Sequence, residues 1–290
     1  MKIIFDYKFK KIPVQSVILP PQYSYIVGGK NTAGVAVNRF YKFENSAYAT
    51  LSDYPINIWS PAFFSKDNIE YVIGGYTGSH QKSCRKYTTS WILLNDWIRN
   101  QCLVRGNLID TSSYIMGGWD GTSTYNDMNV YDITTDSTST KSATFYKNSW
   151  DYDSDINNNN VYYYSTADVK TTKYDVSSDL YETKTDALIS KEIGAGFSKN
   201  NIYYGFSSKN VGSDCNSQKY DYSSNTWSTF ANQPISLGRI RGASNNLSFG
   251  GRSSDSDSDS TDYTFSYAES NDTWKSETNY PLKIHFTTAI

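Results

Sequence analysis

The sequence contains few of the side chains that most often bind metals or carry out catalysis. Its 290 residues include two histidines and three cysteines. Neither His80 nor His285 has a partner at metal-ligand spacing, so we expect no metal site, no cofactor and no catalytic residue. Cys84, Cys102 and Cys215 are odd in number and lack CxxC spacing, which favours a reducing compartment over a disulfide framework. Phosphate-loop and nucleophile-elbow motifs are also absent, and we expect a protein that is not an enzyme.

Charge of one sign and long apolar runs are scarce as well. The chain carries 27 Lys and Arg residues against 29 Asp and Glu residues, a formal net charge of −2. Because binding to nucleic acid needs a local basic field, we expect no nucleic-acid partner. No apolar run reaches the length of a membrane helix, and Asp6 and Lys8 interrupt the start of the chain where a secretory signal would be apolar. We therefore expect a soluble protein without a membrane span.

Aromatic residues are abundant, at 16% of the chain with 26 tyrosines. Aliphatic residues are fewer, so we expect Tyr, Phe and Trp rings to pack the interior. Such rings suit the faces of β-sheets, and their polar groups can reach water or a hydrogen-bond partner. The many tyrosines thus indicate an architectural role first and ligand binding second.

A short apolar strand followed by a turn, usually Gly-Gly, recurs six times along the chain. The first turn positions are Gly28, Gly74, Gly117, Tyr164, Gly205 and Gly250. They are separated by 46, 43, 47, 41 and 45 residues. A repeat of this length is typical of one four-stranded propeller blade. The sequence therefore predicts an all-β, six-bladed β-propeller of four-stranded antiparallel blades.

A second pattern places an aromatic residue, a second aromatic residue and a proline seven positions apart. It occurs as Tyr41, Tyr48 and Pro55, as Tyr220, Trp227 and Pro234, and as Tyr267, Trp274 and Pro281, while Tyr174 and Tyr181 keep its first half. We expect the first aromatic residue to end a strand, the second to begin the next strand after a polar turn, and the proline to close the blade. Because equivalent repeat positions share environments, Trp227 and Trp274 should both be buried.

Together these patterns resemble the kelch repeat, in which strands ending in Gly-Gly and in Tyr-Asp precede a Thr-Trp. The matches are Tyr131-Asp132, Tyr174-Asp175, Tyr220-Asp221, Asn225-Thr226-Trp227 and Asp272-Thr273-Trp274. The resemblance covers about residues 23 to 290. Repeats four and five depart from the pattern with Tyr164-Ser165 and Gly205-Phe206 in place of Gly-Gly, and repeat three has no aromatic residue seven positions after Tyr131. A WD repeat fits less well, because Gly-His is absent and Trp119-Asp120 follows a Gly-Gly.

A propeller must tie its last blade to its first, since an open array leaves two sheet edges exposed. Residue spacing favours an inner strand at 283–290 for the blade that begins near Tyr23, and residues 14–19 are the alternative. We accordingly divide the chain into an apolar arm, residues 1–21, and a propeller, residues 22–290. The arm is expected to add a strand to its own propeller or to dock on a neighbouring subunit.

Two acidic segments can be interpreted either as functional sites or as solvent-exposed surface. Asp151, Asp153 and Asp155 alternate along the chain and could supply the paired carboxylates of a glycosidase, but such alternation usually marks a solvent-exposed face. The Ser- and Asp-rich segment 253–262 lacks the glycine and terminal Glu of an EF-hand. We expect a flexible acidic loop there, and whether it binds an ion stays open.

The kelch resemblance implies that the loops after Gly-Gly and the connections between blades share one face around the central channel. On that face we predict a binding surface, because aromatic residues in loops are enriched in binding patches. Its residues are Tyr76, His80, Trp119, Asp120, Tyr125, Arg239 and Arg241. The expected function is a non-catalytic binding or scaffold propeller in a larger assembly, cytoplasmic or associated with a virion. Its expected partner is a protein or an assembly neighbour. The alternative functions are a structural or host-recognition protein of a virion, a lectin-like glycan binder, and a propeller enzyme with an unrecognised site.

Overall fold

The computed structural model describes residues 23–146, 152–165, 169–188, 195–206, 217–238, 240, 242–254, 256–286 and 288–290. Within these residues nearly all regular structure is β-strand. Helix is limited to two single turns of 3-10 helix, at Asp257–Asp259 and Glu269–Asn271. None of these helices is long and apolar enough to cross a membrane.

The strands follow one another with short connections. In the first half they are β1 (Tyr23–Val27), β2 (Phe40–Glu44), β3 (Ala47–Thr50), β4 (Ala62–Lys66), β5 (Ile69–Ile73), β6 (Cys84–Tyr87), β7 (Trp91–Leu93), β8 (Asn107–Ile109), β9 (Ser112–Met116), β10 (Asp127–Asp132), β11 (Ser137–Thr144) and β12 (Tyr152–Asn157). In the second half they are β13 (Asn160–Ser165), β14 (Thr171–Asp175), β15 (Leu180–Thr183), β16 (Ala195–Lys199), β17 (Ile202–Phe206), β18 (Gln218–Asp221), β19 (Thr226–Thr229), β20 (Gly242–Ser244), β21 (Leu247–Phe249), β22 (Thr264–Ala268), β23 (Thr273–Ser276) and β24 (Thr288–Ala289).

These strands form six four-stranded antiparallel sheets, which confirms the six-bladed propeller. Blade one has the order β24-β1-β2-β3, and blades two to six each use four consecutive strands from β4 to β23. The inner strands contact one another in the circular order β4, β8, β12, β16, β20, β24 and back to β4. They therefore surround a central channel.

Blade one is built from both ends of the described chain. In β24, Thr288 pairs with Val27 and Ala289 with Ile26. Beyond the strand, the N–H groups of Tyr25 and Ile290 each donate to the other residue's carbonyl, at 2.8 and 3.0 Å. A strand near the C-terminal end of the chain thus covers the edge that β1 would otherwise expose. The alternative inner strand, residues 14–19, and the arm, residues 1–21, lie outside the described residues.

The Gly-Gly turns bring neighbouring blades into direct backbone contact. The N–H of Gly29 donates to the carbonyl of Ile58 in the next blade at 2.8 Å, and Gly75 and Gly251 make the same contact with Gln101 and Ile284. Gly28 has a φ of 62°, and a Cβ on it would lie 2.2 Å from the Ile58 carbonyl oxygen. Glycine is therefore required there both by conformation and by space.

The Tyr-Asp pairs close the turns between the third and fourth strands of a blade. The Oδ1 atom of Asp132 accepts hydrogen bonds from the N–H groups of Thr134 and Thr135 at 2.8 and 3.0 Å. Asp175 and Asp221 make equivalent turns in blades four and five. An Asp side chain suits this position because it satisfies backbone donors that the tight turn leaves without a carbonyl partner.

The tyrosines of the same pairs take part in a repeated contact between blades, which we call the Tyr-Asx latch. In blade three the hydroxyl of Tyr131 donates to Asp136 at 2.5 Å, and Asp136 accepts the N–H of Asn95 in blade two at 3.0 Å. The same latch joins blade four to three, five to four and six to five through Tyr174 with Asp179, Tyr220 with Asn225, and Tyr267 with Asp272. The four Asp or Asn residues have φ between 50° and 56°, a left-handed conformation that these two residue types tolerate well.

A tryptophan in the fourth strand adds a second hydrogen bond between blades. The indole N–H of Trp227 donates to the Thr185 carbonyl of blade four at 3.0 Å, and Trp274 and Trp91 make the equivalent bond to Ala231 and Ser52. Trp227 is 7% exposed, whereas Trp274 is only half-buried. The two rings therefore occupy equivalent positions, as predicted, but Trp274 is less buried than expected.

In blade one the two aromatic residues of the seven-residue spacing do not pair with each other across the hairpin. Tyr220 and Tyr174 pair directly with the aromatic residue seven positions later, but Tyr41 pairs with Thr50. The hairpin there turns through Asn45 and Ser46, which both have positive φ. This two-residue turn is tighter than the four-residue turns of blades three to six, so the register moves by two positions.

We expect deletion of residues 283–290 to open the ring. The deletion removes β24 and exposes the backbone edge of β1, a loss larger than the few kcal/mol that separate most folded domains from the unfolded state. Circular dichroism during heating should show no cooperative transition for the truncated protein. A truncated protein that melts like the full-length chain would contradict the closure by β24.

The loss of stability on replacing Trp227 or Trp274 should depend on how deeply each ring is buried. Trp227→Ala removes a buried ring and two hydrogen bonds, to Thr185 and to the hydroxyl of Thr171, and should lower the free energy of unfolding by about 3 to 5 kcal/mol. Trp274→Ala should cost less, because Trp274 is already more exposed to water than Trp227. Urea denaturation of both variants checks the order, and equal losses would contradict it.

Glu70 is a buried carboxyl group between blades one and two. Glu70 is 1% exposed, and the Ser65 hydroxyl donates to its carboxyl group at a long 3.4 Å. Burial raises its pKa to about 7, and Lys42 opposes the shift only weakly. Because the folded-state pKa lies above the unfolded value, the protein should lose stability as the pH rises from about 4.5 through about 7.

Glu70→Gln should therefore stabilise the protein at pH 8 by about 1 to 3 kcal/mol and have little effect at pH 4.5. Urea denaturation at the two pH values measures the difference. Glu182→Gln is the matched control, because Glu182 is exposed and forms an ion pair with Lys184. Removing its charge should leave the free energy of unfolding unchanged or lower it slightly. A gain at pH 8 no larger than at pH 4.5 would contradict the account of Glu70.

Candidate functional site

The residue that follows Gly-Gly has the same backbone partners in each of the first three blades. The N–H groups of Lys30, Tyr76 and Trp119 donate to the carbonyls of His285, Trp59 and Cys102, which precede the inner strand of the same blade. The loops after Gly-Gly and the connections between blades therefore lie on one face. We call this the loop face, formed in blades one to three by residues 30–36, 58–60, 76–83, 101–103, 119–126 and 284–286.

Five rings form a continuous line across the loop face, which we call the aromatic row. Its members are Phe286, Trp59, Tyr76, His80 and Trp119. Successive ring centroids lie 5.2, 5.2, 4.9 and 4.8 Å apart. Phe286 and Trp59 are buried, and the other three are half-buried. The row thus spans three blades and presents the edges of three rings to solvent.

His80 belongs to this row and is not the fully solvated loop residue that its position suggests. Its ring lies edge-on between Tyr76 and Trp119, at interplanar angles of 79° and 86°. Gly121 packs against it so closely that a Cβ there would lie 2.8 Å from the imidazole. Burial lowers the pKa of His80, although Asp120 acts in the opposite direction. We therefore expect a neutral imidazole at pH 7.

Asp120 organises its own loop. Its Oδ1 atom accepts the N–H groups of Thr122 and Ser123 at 2.8 and 2.7 Å, and its Oδ2 atom accepts the hydroxyl of Tyr125 at 2.5 Å. The bond from Tyr125, followed by the two backbone bonds, lowers the pKa of Asp120 to about 2. Asp120 is thus ionised and fully engaged, and it fixes the position of Tyr125.

Two cations flank the aromatic row. The ammonium group of Lys30 lies 4.7 Å from the centre of the Trp59 ring. The guanidinium group of Arg99 lies 4.1 Å from the centre of the Tyr125 ring and forms an ion pair with Asp127. Such cation-π contacts hold the charged groups beside apolar surface.

The structure thus brings together five of the seven residues that the sequence singles out for binding: Tyr76, His80, Trp119, Asp120 and Tyr125. Arg239 and Arg241 lie outside the described residues. Four further residues lie beside them that were not predicted from the sequence as binding residues: Trp59, Phe286, Lys30 and Arg99. Trp59 and Phe286 lie in connections between blades, where the inner-strand spacing would have placed them opposite the Gly-Gly loops.

The first acidic segment differs from the expectation, and the flexibility expected of residues 253–262 stays a prediction. Asp153 and Asp155 line the central channel and do not form a solvent face, because they lie on β12, the innermost strand of blade four. The segment 253–262 folds back on itself through a bond from the Ser253 N–H to the Asp259 carbonyl, and Thr261 bridges to Ile284. Among the described residues, no three His, Cys, Asp or Glu side chains are placed to hold a metal ion.

Comparison with known proteins supports the fold. No protein family and no curated protein matches the chain. Many solved structures share the fold, and one of them is the structure of YjhT. YjhT is 13% identical in sequence, with a TM-score of 0.69, and the match covers 81% of this chain and 88% of YjhT. At this identity the similarity shows a common propeller fold and nothing about function.

Proposed function

We propose that this protein is a binding propeller that recognises a protein partner through the aromatic row of its loop face. The observation that carries the proposal is the line of partly exposed rings Tyr76, His80 and Trp119 on the loop face. Tyr76 and Trp119 also pack on a buried cluster that includes Trp59, Cys102 and Phe286. Aromatic and arginine side chains dominate the energetics of protein interfaces. The neighbouring Arg99 and Tyr125 extend the same kind of surface.

The row is also held in place before any partner arrives. Backbone bonds tie Tyr76 to Trp59 and Trp119 to Cys102, and the Asp120 turn fixes the loop that follows. A preformed surface binds more tightly than a mobile one, because fewer side chains and loops must be ordered on binding. This rigidity supports recognition as the role of the loop face.

The wider context is also a proposal. The Gly-Gly contacts, Asp turns and latch tryptophans support a divergent relationship to kelch propellers. A rigid propeller with a preformed aromatic surface would suit a subunit of a larger assembly, such as a virion, in which the loop face meets a neighbour. That it is not an enzyme stays a prediction.

A glycan is the second candidate ligand, because Trp119 and Tyr76 present ring surface beside Asp120. Lectin sites combine such rings with carboxylate or amide groups that hydrogen-bond sugar hydroxyls. Both oxygens of Asp120 are already occupied by Thr122, Ser123 and Tyr125. This occupancy favours a protein partner over a glycan.

The test compares Trp119→Ala with the wild type in binding to peptides selected from a displayed random library on the wild-type protein. The variant should weaken binding by at least tenfold, the scale of an aromatic hot spot, and leave the melting temperature nearly unchanged. Leu180→Ala is the matched control, since Leu180 is 63% exposed in blade four, away from the row. It should bind like the wild type.

A glycan array probed with the same three proteins separates the two candidates. Peptide binding that depends on Trp119 supports the proposal. Glycan binding that depends on Trp119, without peptide binding, would replace the protein partner by a sugar. Selected peptides that bind Trp119→Ala as tightly as the wild type would overturn the role of the row.

A further inference from the structure

The central channel contains a cavity of about 350 Å³ lined by residues of all six blades, mostly from the inner strands. The residues that line it include the polar Arg105, Asp153 and Asp155. Phe63 and Phe197 also line it, although their rings pack mainly between blades and are only slightly exposed. A volume of this size lies within the range of small-molecule sites, which combine apolar walls with a few polar groups. The cavity is separate from the aromatic row.

Backbone contacts close the channel toward the loop face in blades one to three. The N–H of Leu103 donates to the Ser60 carbonyl at 3.0 Å, and the N–H of Ser60 donates to the Phe286 carbonyl at 3.3 Å. All three residues are buried and have positive φ, which turns the chain inward just before each inner strand. The cavity extends in the other direction to Asn245, which is exposed in the turn between β20 and β21.

One of the two carboxylates in the cavity is balanced by a basic partner. The Oδ1 atom of Asp153 lies 3.3 Å from the Nε atom of Arg105, and its Oδ2 atom accepts the Tyr203 hydroxyl at 2.7 Å. Gly196 allows this contact, since a Cβ there would lie 2.3 Å from the Tyr203 ring. Neighbouring blades on both sides thus satisfy Asp153.

Asp155, two residues further along β12, has neutral donors in place of a basic partner. The Ser198 hydroxyl and the Ile156 N–H donate to its two oxygens, and Ser198 in turn contacts the Tyr222 hydroxyl at 3.0 Å. Among the described residues, no lysine or arginine forms an ion pair with Asp155. Burial raises the pKa of Asp155 to about 6, and the nearby charge of Asp153 adds to the rise. The described cavity wall therefore holds one Arg against two Asp at pH 7.

We propose that the channel binds a small organic cation, with its ammonium group at Asp155 and its carbon atoms against Phe63 and Phe197. Since no described lysine or arginine forms an ion pair with Asp155, a cation supplies an opposite charge there, in a site where low dielectric strengthens the attraction. The hydroxyls of Ser154 and Ser198 offer acceptors for ammonium hydrogens. An anion is disfavoured, because Arg105 is already paired with Asp153. The proposal is independent of a partner at the loop face.

Isothermal titration calorimetry with ethanolamine and choline at pH 7.5 tests the proposal, with ethylene glycol as a neutral probe. Both cations should bind the wild type, and ethylene glycol should not. Asp155→Asn keeps the shape of the side chain and should weaken cation binding at least tenfold without lowering the melting temperature. Asp186→Asn, an exposed carboxylate paired with Lys170, is the control and should bind like the wild type.

A pH series adds a second readout. The other ionisable groups facing Asp155 are Asp153, held by Arg105, and the buried Tyr164, Tyr203 and Tyr222, whose pKa values burial raises well above 10. Cation affinity should therefore fall about tenfold from pH 7.5 to pH 5, as Asp155 becomes protonated, and stay level in Asp155→Asn. Absence of binding by either cation, equal binding of ethylene glycol, or unchanged affinity in Asp155→Asn would each overturn the proposal.

Discussion

The contact between consecutive blades is the interaction on which this structure depends. Each four-stranded sheet is too small to bury its faces alone, so its stability comes from the neighbouring sheets. Three kinds of hydrogen bond join neighbouring blades among the described residues. They come from the Gly-Gly turns, from the tryptophans of the fourth strands, and from the Asp or Asn side chains of the Tyr-Asx latch. Since every blade relies on the next, the ring also needs β24 to complete blade one.

An interior built from aromatic residues follows from the same constraint. Tyrosine packs the sheet faces with its ring and places its hydroxyl at a blade boundary, where Asp136, Asp179, Asn225 and Asp272 receive it. Leucine or phenylalanine would fill the same space and leave those Asp and Asn side chains without one of their donors. The aromatic row of the loop face rests on this frame, because its loops begin at the Gly-Gly contacts.

Much of the fold could be predicted from the sequence because the repeat imposes it. The Gly-Gly period gave the blade count, and the spacing around Pro281 indicated the C-terminal strand that pairs with β1. The position of Tyr76, His80 and Trp119 in the loops after Gly-Gly, together with the kelch resemblance, predicted that they share one face. The channel could not be predicted in the same way: Asp153 and Asp155 look like surface residues until the contacts of Arg105, Tyr203 and Ser198 from adjacent blades are known. The different register at Tyr41 also escaped, since a two-residue turn and a four-residue turn both fit a seven-residue spacing.

The central claim is that the blades form one cooperative ring held by bonds between neighbours. Native-state hydrogen exchange at the amides of Asn95, Ser142, Thr185 and Ala231, which donate to the four latch side chains, tests it most directly. The account predicts that these amides, although near the surface, exchange only with an opening free energy close to that of global unfolding. Exchange at the rate of unprotected loop amides would show that the latches open independently and would contradict the account.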